Sequence, residues 1–134
     1  MTFRIELTIP CLPDPDLSSN RRRNRAWQAQ ARDTATERGR AAALLMVSKY
    51  ETGESWDYLP RSIRLDWTLH WPKGTRSRDA DSLAAMLKPW QDAMIDLGWL
   101  VNDSPKYVPT VSYTSVPSSP KGPSMELEIR QVED

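Results

Sequence analysis

The sequence predicts an α+β domain: a small mixed or antiparallel sheet with two main helices packed on it, in the order β-α-β-α-β-β. Three observations carry that prediction. Apolar residues alternate with polar ones in Phe3–Ile9 and again in Ile63–Trp71, the period of a half-buried strand. Two longer stretches, Asn24–Lys49 and Leu83–Leu97, carry helix-forming composition or helical spacing. The strand patterns alternate rather than run on as continuous apolar blocks, which favours a sheet covered on one face.

In chain order, Phe3, Ile5, Leu7 and Ile9 form the first strand, ended by Pro10, Pro13 and Pro15. A loop follows through Leu17 to Asn20. The Ala, Gln, Arg and Leu content from about Asn24 to Lys49 then favours a long helix, weakened at Gly39. Thr52 to Pro60 reads as a loop. Ile63, Leu65, Trp67, Leu69 and Trp71 alternate with Arg64, Asp66, Thr68 and His70, the clearest strand in the chain. Pro72, Lys73 and Gly74 break it, and Arg76 to Asp81 lead into the second helix. Leu83, Met86, Leu87, Trp90, Met94 and Leu97 follow helical spacing up to Gly98, a common helix stop. Pro89 lies inside this helix, where proline costs about 3 kcal/mol, so a kink or restart is expected near Lys88. Two final strands, about Lys106–Val116 and Ser124–Val132, flank a turn containing Pro117, Pro120, Gly122 and Pro123.

The chain has 134 residues, 39% hydrophobic and 27% charged, which suits one folded domain, 1–134, rather than a disordered chain. It contains no apolar run long enough to span a bilayer and no secretory pattern at its amino terminus, so a cytoplasmic location and no membrane partner are expected. One Cys and one His exclude an internal disulfide and a zinc cluster of thiolates and imidazoles. A metal, if held, is held by oxygen, which points to Mg²⁺, Mn²⁺ or Ca²⁺.

Net charge is zero, but its distribution is uneven. Arg21, Arg22, Arg23 and Arg25 follow Asn20, with Arg32, Arg38 and Arg40 beyond them, against only Asp33 and Glu37. Lys73, Arg76 and Arg78 form a second basic group just before two aspartates. Either is accounted for as a solvated arm or loop; beside an acidic site both suit phosphates.

Asp79 and Asp81 stand one residue apart at the mouth of the second helix. Two carboxylates that close repel each other unless a cation lies between them. Mg²⁺ favours carboxylate oxygens, keeps several waters and stabilises charge on a phosphate undergoing displacement. At about 100° per residue, Lys88 lies about 20° to one side of Asp81 and Asp92 about 20° to the other, while the apolar residues cluster opposite. Gly98 lets the chain turn back, so that Asp103 can reach the same rim. The plainer reading gives Asp81 a capping role, Lys88 and Asp92 a solvated face, and Asp103-Ser104-Pro105 a turn. Capping uses one aspartate, however, and leaves Asp79 without a role.

The stretch Arg78-Asp79-Ala80-Asp81-Ser82-Leu83, then Lys88, Asp92-Ala93, Gly98 and Asn102-Asp103, resembles the signature of the RusA type of Holliday-junction resolvase. Leu17-Ser18-Ser19-Asn20 with Arg23 and Trp27 resembles that family's amino-terminal Asn-Arg region. Ser82 stands where the family usually has Asn, and Asn102 replaces the first member of a terminal acidic pair. Lys88 follows Asp81 at a longer interval than in the best-known pattern. The resemblance implies Asp79, Asp81 and Asp103 as Mg²⁺ ligands, with Mn²⁺ as a substitute, and Lys88 as a fourth catalytic residue. It further implies a homodimer that resolves four-way DNA junctions by paired symmetric nicks in recombination or repair, frequently in phages and prophages. Asn20, Arg21, Arg22, Arg23, Arg25, Lys73, Arg76 and Arg78 are the expected DNA contacts. Three rival readings stay open: a junction-binding protein whose nuclease activity has decayed, a less selective flap or single-strand nuclease, and an unrelated domain that binds Ca²⁺ for stability. Cleavage preference and metal number are not encoded in any motif.

Overall fold

Alternation in Ile63–His70 makes a strand whose Ile63, Leu65, Trp67 and Leu69 all turn to one buried side. This strand is β2 in the computed structural model, which describes residues 3–18, 26–75 and 80–132, apart from the side chains of residues 80 and 81. The other elements are β1 (Arg4–Ile9), α1 (Trp27–Thr52), α2 (Ala80–Asp96), β3 (Thr110–Val116) and β4 (Ser124–Gln131). The domain is α+β, with a mixed sheet of order β1-β4-β2-β3 and both helices packed on it. β4 pairs antiparallel with β1 and β2, whereas β3 runs parallel to β2. Parallel neighbours need a crossover, and α2 supplies it.

The expected final pair of strands is therefore not a hairpin, because β3 and β4 lie on opposite sides of β2. Residues 117–123 cross the end of β2 to join them. Ser119 N donates to Trp71 O at 2.8 Å, and a Cβ on Gly122 would sit 2.7 Å from Pro72 N, so this close crossing requires glycine. The third strand begins at Thr110 rather than near Lys106, since residues 105–107 form a turn in which Tyr107 N bonds Ser104 O.

α1 starts at Trp27 and stops at Gly53, whose φ of 72° is the left-handed conformation glycine allows. Only Glu37, Ala41, Leu45 and Ser48 are buried along it, a stripe one side chain wide at spacings of three and four. Ser48 Oγ donates to Thr8 O at 2.9 Å and ties the helix to β1. α2 runs unbroken through Pro89, without the expected restart. Leu83, Met86, Leu87, Trp90, Ala93 and Met94 are all buried beneath it, and this packing outweighs the missing backbone bond. Trp90 meets Trp67 edge to face at 6.4 Å between centroids, joining α2 to the middle of the sheet.

Glu37 is the one carboxylate buried among the described residues. Its oxygens accept from Asp14 N at 2.7 Å, Trp90 Nε1 at 3.0 Å, Arg40 Nε at 2.7 Å and Arg40 Nη2 at 3.0 Å. Arg40 also reaches Leu12 O and Cys11 Sγ. These bonds hold the segment after β1 against both helices. There Asp14 caps a short 3₁₀ turn, Pro15–Leu17, whose Leu17 is fully buried. Glu37→Ala leaves an arginine and two donors without their acceptor and is expected to cost about 3 kcal/mol. Glu37→Gln, which keeps an acceptor oxygen, is expected to cost less. Urea unfolding of both variants checks the order; an Ala variant as stable as the parent removes Glu37 from this role.

On the sheet face away from the helices, Arg64, Arg130 and Ser112 surround Asp66. Burial pushes the Asp66 carboxyl up, but the hydrogen bonds from Ser112, Arg64 and Arg130 outweigh it and leave its pKa below the ordinary aspartate value. A carboxyl depressed in the folded state stabilises above its unfolded pKa and loses that contribution as pH falls through the folded value. Asp66→Asn is expected to cost about 1 kcal/mol at neutral pH, with the deficit shrinking below about pH 4. Urea midpoints across that range test it, and a deficit constant with pH excludes the charge as its source.

Candidate functional site

α2 ends in a C-cap built on Gly98, whose φ is 76°. Gly98 N bonds Ile95 O at 2.9 Å and Trp99 N bonds Met94 O at 3.0 Å, which satisfies the last carbonyls and reverses the chain. Trp99 and Leu100 are buried, and Leu59 N donates to Trp99 O, so the returning segment is anchored at its start. It then makes a tight turn in which Asn102 Oδ1 accepts from Ser104 N at 2.9 Å. Asn102 is thus the turn-former, and Asp103 is presented between the turn's two ends.

Asp103 comes back to α2. Its Oδ2 accepts a short hydrogen bond from Lys88 Nζ, which also lies 3.0 Å from Asp92 Oδ1 one helical turn further on. Lys88 is half-exposed, with Asp92 and Asp103 less so. Burial pulls the Lys88 ammonium down, but the hydrogen bonds it donates to Asp103 and Asp92 outweigh it and leave its pKa above the ordinary lysine value. One ammonium therefore holds two carboxylates from separate stretches of chain.

Of the four residues expected to be catalytic, Lys88 and Asp103 are brought together, and Asp92 joins them. Asp79 and the side chain of Asp81 lie outside the described residues; the backbone of Asp81 belongs to the first turn of α2, roughly 10 Å along the axis from Lys88. Ser82, beside it, is buried. Among the described residues no three His, Cys, Asp or Glu side chains group to hold a metal, and two of the three expected ligands are not among those residues. The donor chemistry fits a hard cation: Asp92 and Asp103 offer oxygen only, and they already share a positive charge.

The expected DNA contacts divide similarly. Asn20, Arg21, Arg22, Arg23, Arg25, Arg76 and Arg78 lie outside the described residues, while Lys73 is exposed in the turn after β2. The described chain stops at buried Ser18 and resumes at Ala26, ahead of α1. Further along α1, Arg38 is held by Asp96 of α2 and Arg40 by Glu37, so these two serve the fold. The Asp96 carboxyl is held below the ordinary value, first by that hydrogen bond from Arg38. No helix among the described residues is long and apolar enough to cross a membrane.

A second polar group had no counterpart in the sequence reading. His70, at the end of β2, is buried, with Nδ1 2.8 Å from Ser119 Oγ and Nε2 2.9 Å from Glu126 Oε1. An ionised carboxylate only accepts, so Nε2 carries the proton and the Ser119 hydroxyl donates to Nδ1. That hydroxyl also accepts from Lys121 N at 3.2 Å. The trio has the residue types of a hydrolase triad, but Ser119 is buried in the crossing segment and lines none of the described cavities. Its visible work is to pin that segment to β2. The lone imidazole was the available signal; its partners, 49 and 56 residues away, depend on topology.

No protein-family model and no curated protein matches the chain.

Lys88→Met is expected to let Asp92 and Asp103 repel and to lower stability by about 1 kcal/mol. Millimolar Mg²⁺ should then raise the melting temperature more in the variant than in the parent, since the internal cation no longer competes. Equal shifts in both proteins would show that the carboxylates do not accept a divalent ion.

Proposed function

We propose that the chain is a divalent-metal-dependent endodeoxyribonuclease of the RusA type, acting on four-way DNA junctions as a homodimer. The observation that carries this reading is the return of Asp103 to Lys88 across 15 positions of sequence, two residues that the resemblance assigns to one site. Asp92 adds a third charged group on the same rim. Lys88 is half-exposed on this rim, within reach of an extended ligand.

In this reading Asp79, Asp81 and Asp103 hold Mg²⁺ or Mn²⁺. When bound, the ion supplies Lewis-acid stabilisation of charge on the scissile phosphate. Lys88, released from Asp103, donates to a phosphate oxygen or to the leaving oxygen as negative charge develops there. Asp92 keeps the ammonium oriented from one helical turn away. Arg21, Arg22, Arg23 and Arg25 hold backbone phosphates, which position the duplex without reading its sequence. A two-fold dimer presents two equivalent sites to the two strands that must be nicked symmetrically.

Incubation of the chain with a four-way junction, a linear duplex and a flap, at equal salt and with Mg²⁺ or Mn²⁺, tests the proposal. Paired nicks in the junction are expected, with activity falling more than about 100-fold in Asp79→Asn and Asp103→Asn and roughly 100-fold in Lys88→Ala while binding persists. Junction binding without cutting by the parent chain identifies a decayed nuclease. Equal cutting of flap and junction defeats the junction assignment, and full activity in Asp79→Asn defeats the site.

A further inference from the structure

Three hollows at one end of the sheet share lining residues, and none is lined by Lys88, Asp92 or Asp103. The first, of about 400 Å³, has an apolar and aromatic wall that includes Tyr58, Trp99, Val101 and Tyr107. It shares Arg61 with a second, of about 300 Å³, which also takes in Lys106. The second shares Gln131 and Val132 with a third, of about 480 Å³, where Arg4, Arg64 and Arg130 stand together. Strand register puts these arginines there: Arg4 pairs with Arg130, and Arg130 with Arg64.

Three like charges in adjacent strands destabilise a sheet unless something offsets them. The next register row of the same face is Glu6, Glu128 and Asp66, and it draws all three guanidiniums into ion pairs. Arg61 and Lys106 are exposed and have no such partner among the described residues. Among the described residues no aspartate or glutamate lines any of the three hollows. Five cations thus line three adjoining hollows, three of them paired with the acidic row and two unpaired among the described residues, and the end at Tyr58 is aromatic, with Tyr58 75% exposed and Lys106 5.5 Å from the Tyr107 ring centre.

We propose that this groove is a track for a single nucleic-acid strand, with phosphates along Arg61, Lys106 and the arginine row and an unstacked base against Tyr58 and Tyr107. A cationic channel calls for a polyanion, and exposed tyrosine beside it calls for a polyanion with flat apolar faces. An acidic peptide meets the first requirement and leaves the second unused. The aromatic end of the groove includes exposed Val101, two residues before Asp103 on the same segment. It lies at the opposite end of β2 from Lys73. The choice of a DNA strand as ligand rests on the nuclease reading; the groove's charge and shape do not.

The test is equilibrium binding of a labelled oligothymidylate of about 20 nucleotides to the whole chain in EDTA over a range of salt. The variant Arg61→Ala with Lys106→Ala changes two exposed side chains and is expected to bind about 10-fold more weakly, with a salt slope lower by about 1.4. Tyr58→Ala should weaken oligothymidylate about 10-fold and leave an abasic strand of equal length unaffected. Parent-like affinity in both variants overturns the proposal, as does polyglutamate competing as well as the oligonucleotide at equal charge, which assigns the groove to an acidic peptide. Junction cleavage measured in parallel separates the two readings. Cleavage with oligothymidylate binding indifferent to Arg61 and Lys106 removes the groove alone; binding that depends on them, in a chain that never cuts, removes the nuclease and keeps the groove.

Discussion

The carboxylate of Glu37 is the point on which the arrangement of the helices depends. A buried charge is tolerated only when its hydrogen-bonding capacity is filled, and here four donors from three parts of the chain fill it. Each donor fixes something different. Asp14 N fixes the segment after β1, Arg40 holds the carboxylate from its own helix, and Trp90 Nε1 fixes the middle of α2 against α1. Leu17 is then seated beneath the helices, with Ser18 buried beside it. Lys88 and Asp92 lie within two residues of Trp90, so the same carboxylate that locks the core sets where the charged face of α2 stands relative to α1.

At the opposite layer, topology rather than any one bond places the functional groups. Because β3 and β4 flank β2, the chain must cross the end of β2, and His70 with Ser119 and Glu126 fastens that crossing. Burial pushes the Glu126 carboxyl up, while hydrogen bonds from Lys121 and His70 bring it below the ordinary value, so the fastening carries charge at neutral pH. Because α2 is itself the crossover between β2 and β3, its polar face and the segment after it belong to one structural unit. Asp103 reaches Lys88 for that reason: the glycine cap on α2 and the anchoring of Trp99 and Leu100 leave the returning chain little freedom.

Much of this was legible in the sequence, for physical reasons that also mark where legibility ended. β1, β2 and β4 each have one side facing helices and one facing away, so their alternation is clean. β3 is an edge strand with intermediate burial on both sides, and its start was placed too early because nothing in the pattern separates Lys106–Tyr107 from the strand proper. α1 was recognisable from composition although its buried stripe is narrow, and the burial of Glu37 within it ran against every expectation for a charged residue. Pro89 was expected to interrupt α2; the apolar contacts around it decided otherwise. Lys88 and Asp92 could be placed on one face from helical spacing alone, whereas for Asp103 the sequence offered the Gly98 turn that lets it reach the same rim, and the resemblance gave it a role there. Arg4, Arg64 and Arg130 were visible as polar positions in three strands, but their alignment is a matter of register, which pairs residues over a hundred positions apart.

Net charge illustrates the same distinction. A total of zero suggests no polyanionic ligand, yet the total counts charges that never face solvent as a group. Arg38 and Arg40 are taken up by Asp96 and Glu37, and the arginine row by the acidic row beside it. What a ligand meets unpaired is the remainder, Arg61 and Lys106 among it, beside guanidiniums of the arginine row that still face solvent. Lys88 is a different case, because its partners are carboxylates with a second possible use. An ammonium lying between Asp92 and Asp103 keeps them from repelling and holds the rim in shape. Once Asp103 is engaged elsewhere, as the proposed function requires, that ammonium needs a new anion, and a phosphate oxygen of the proposed DNA ligand would supply it.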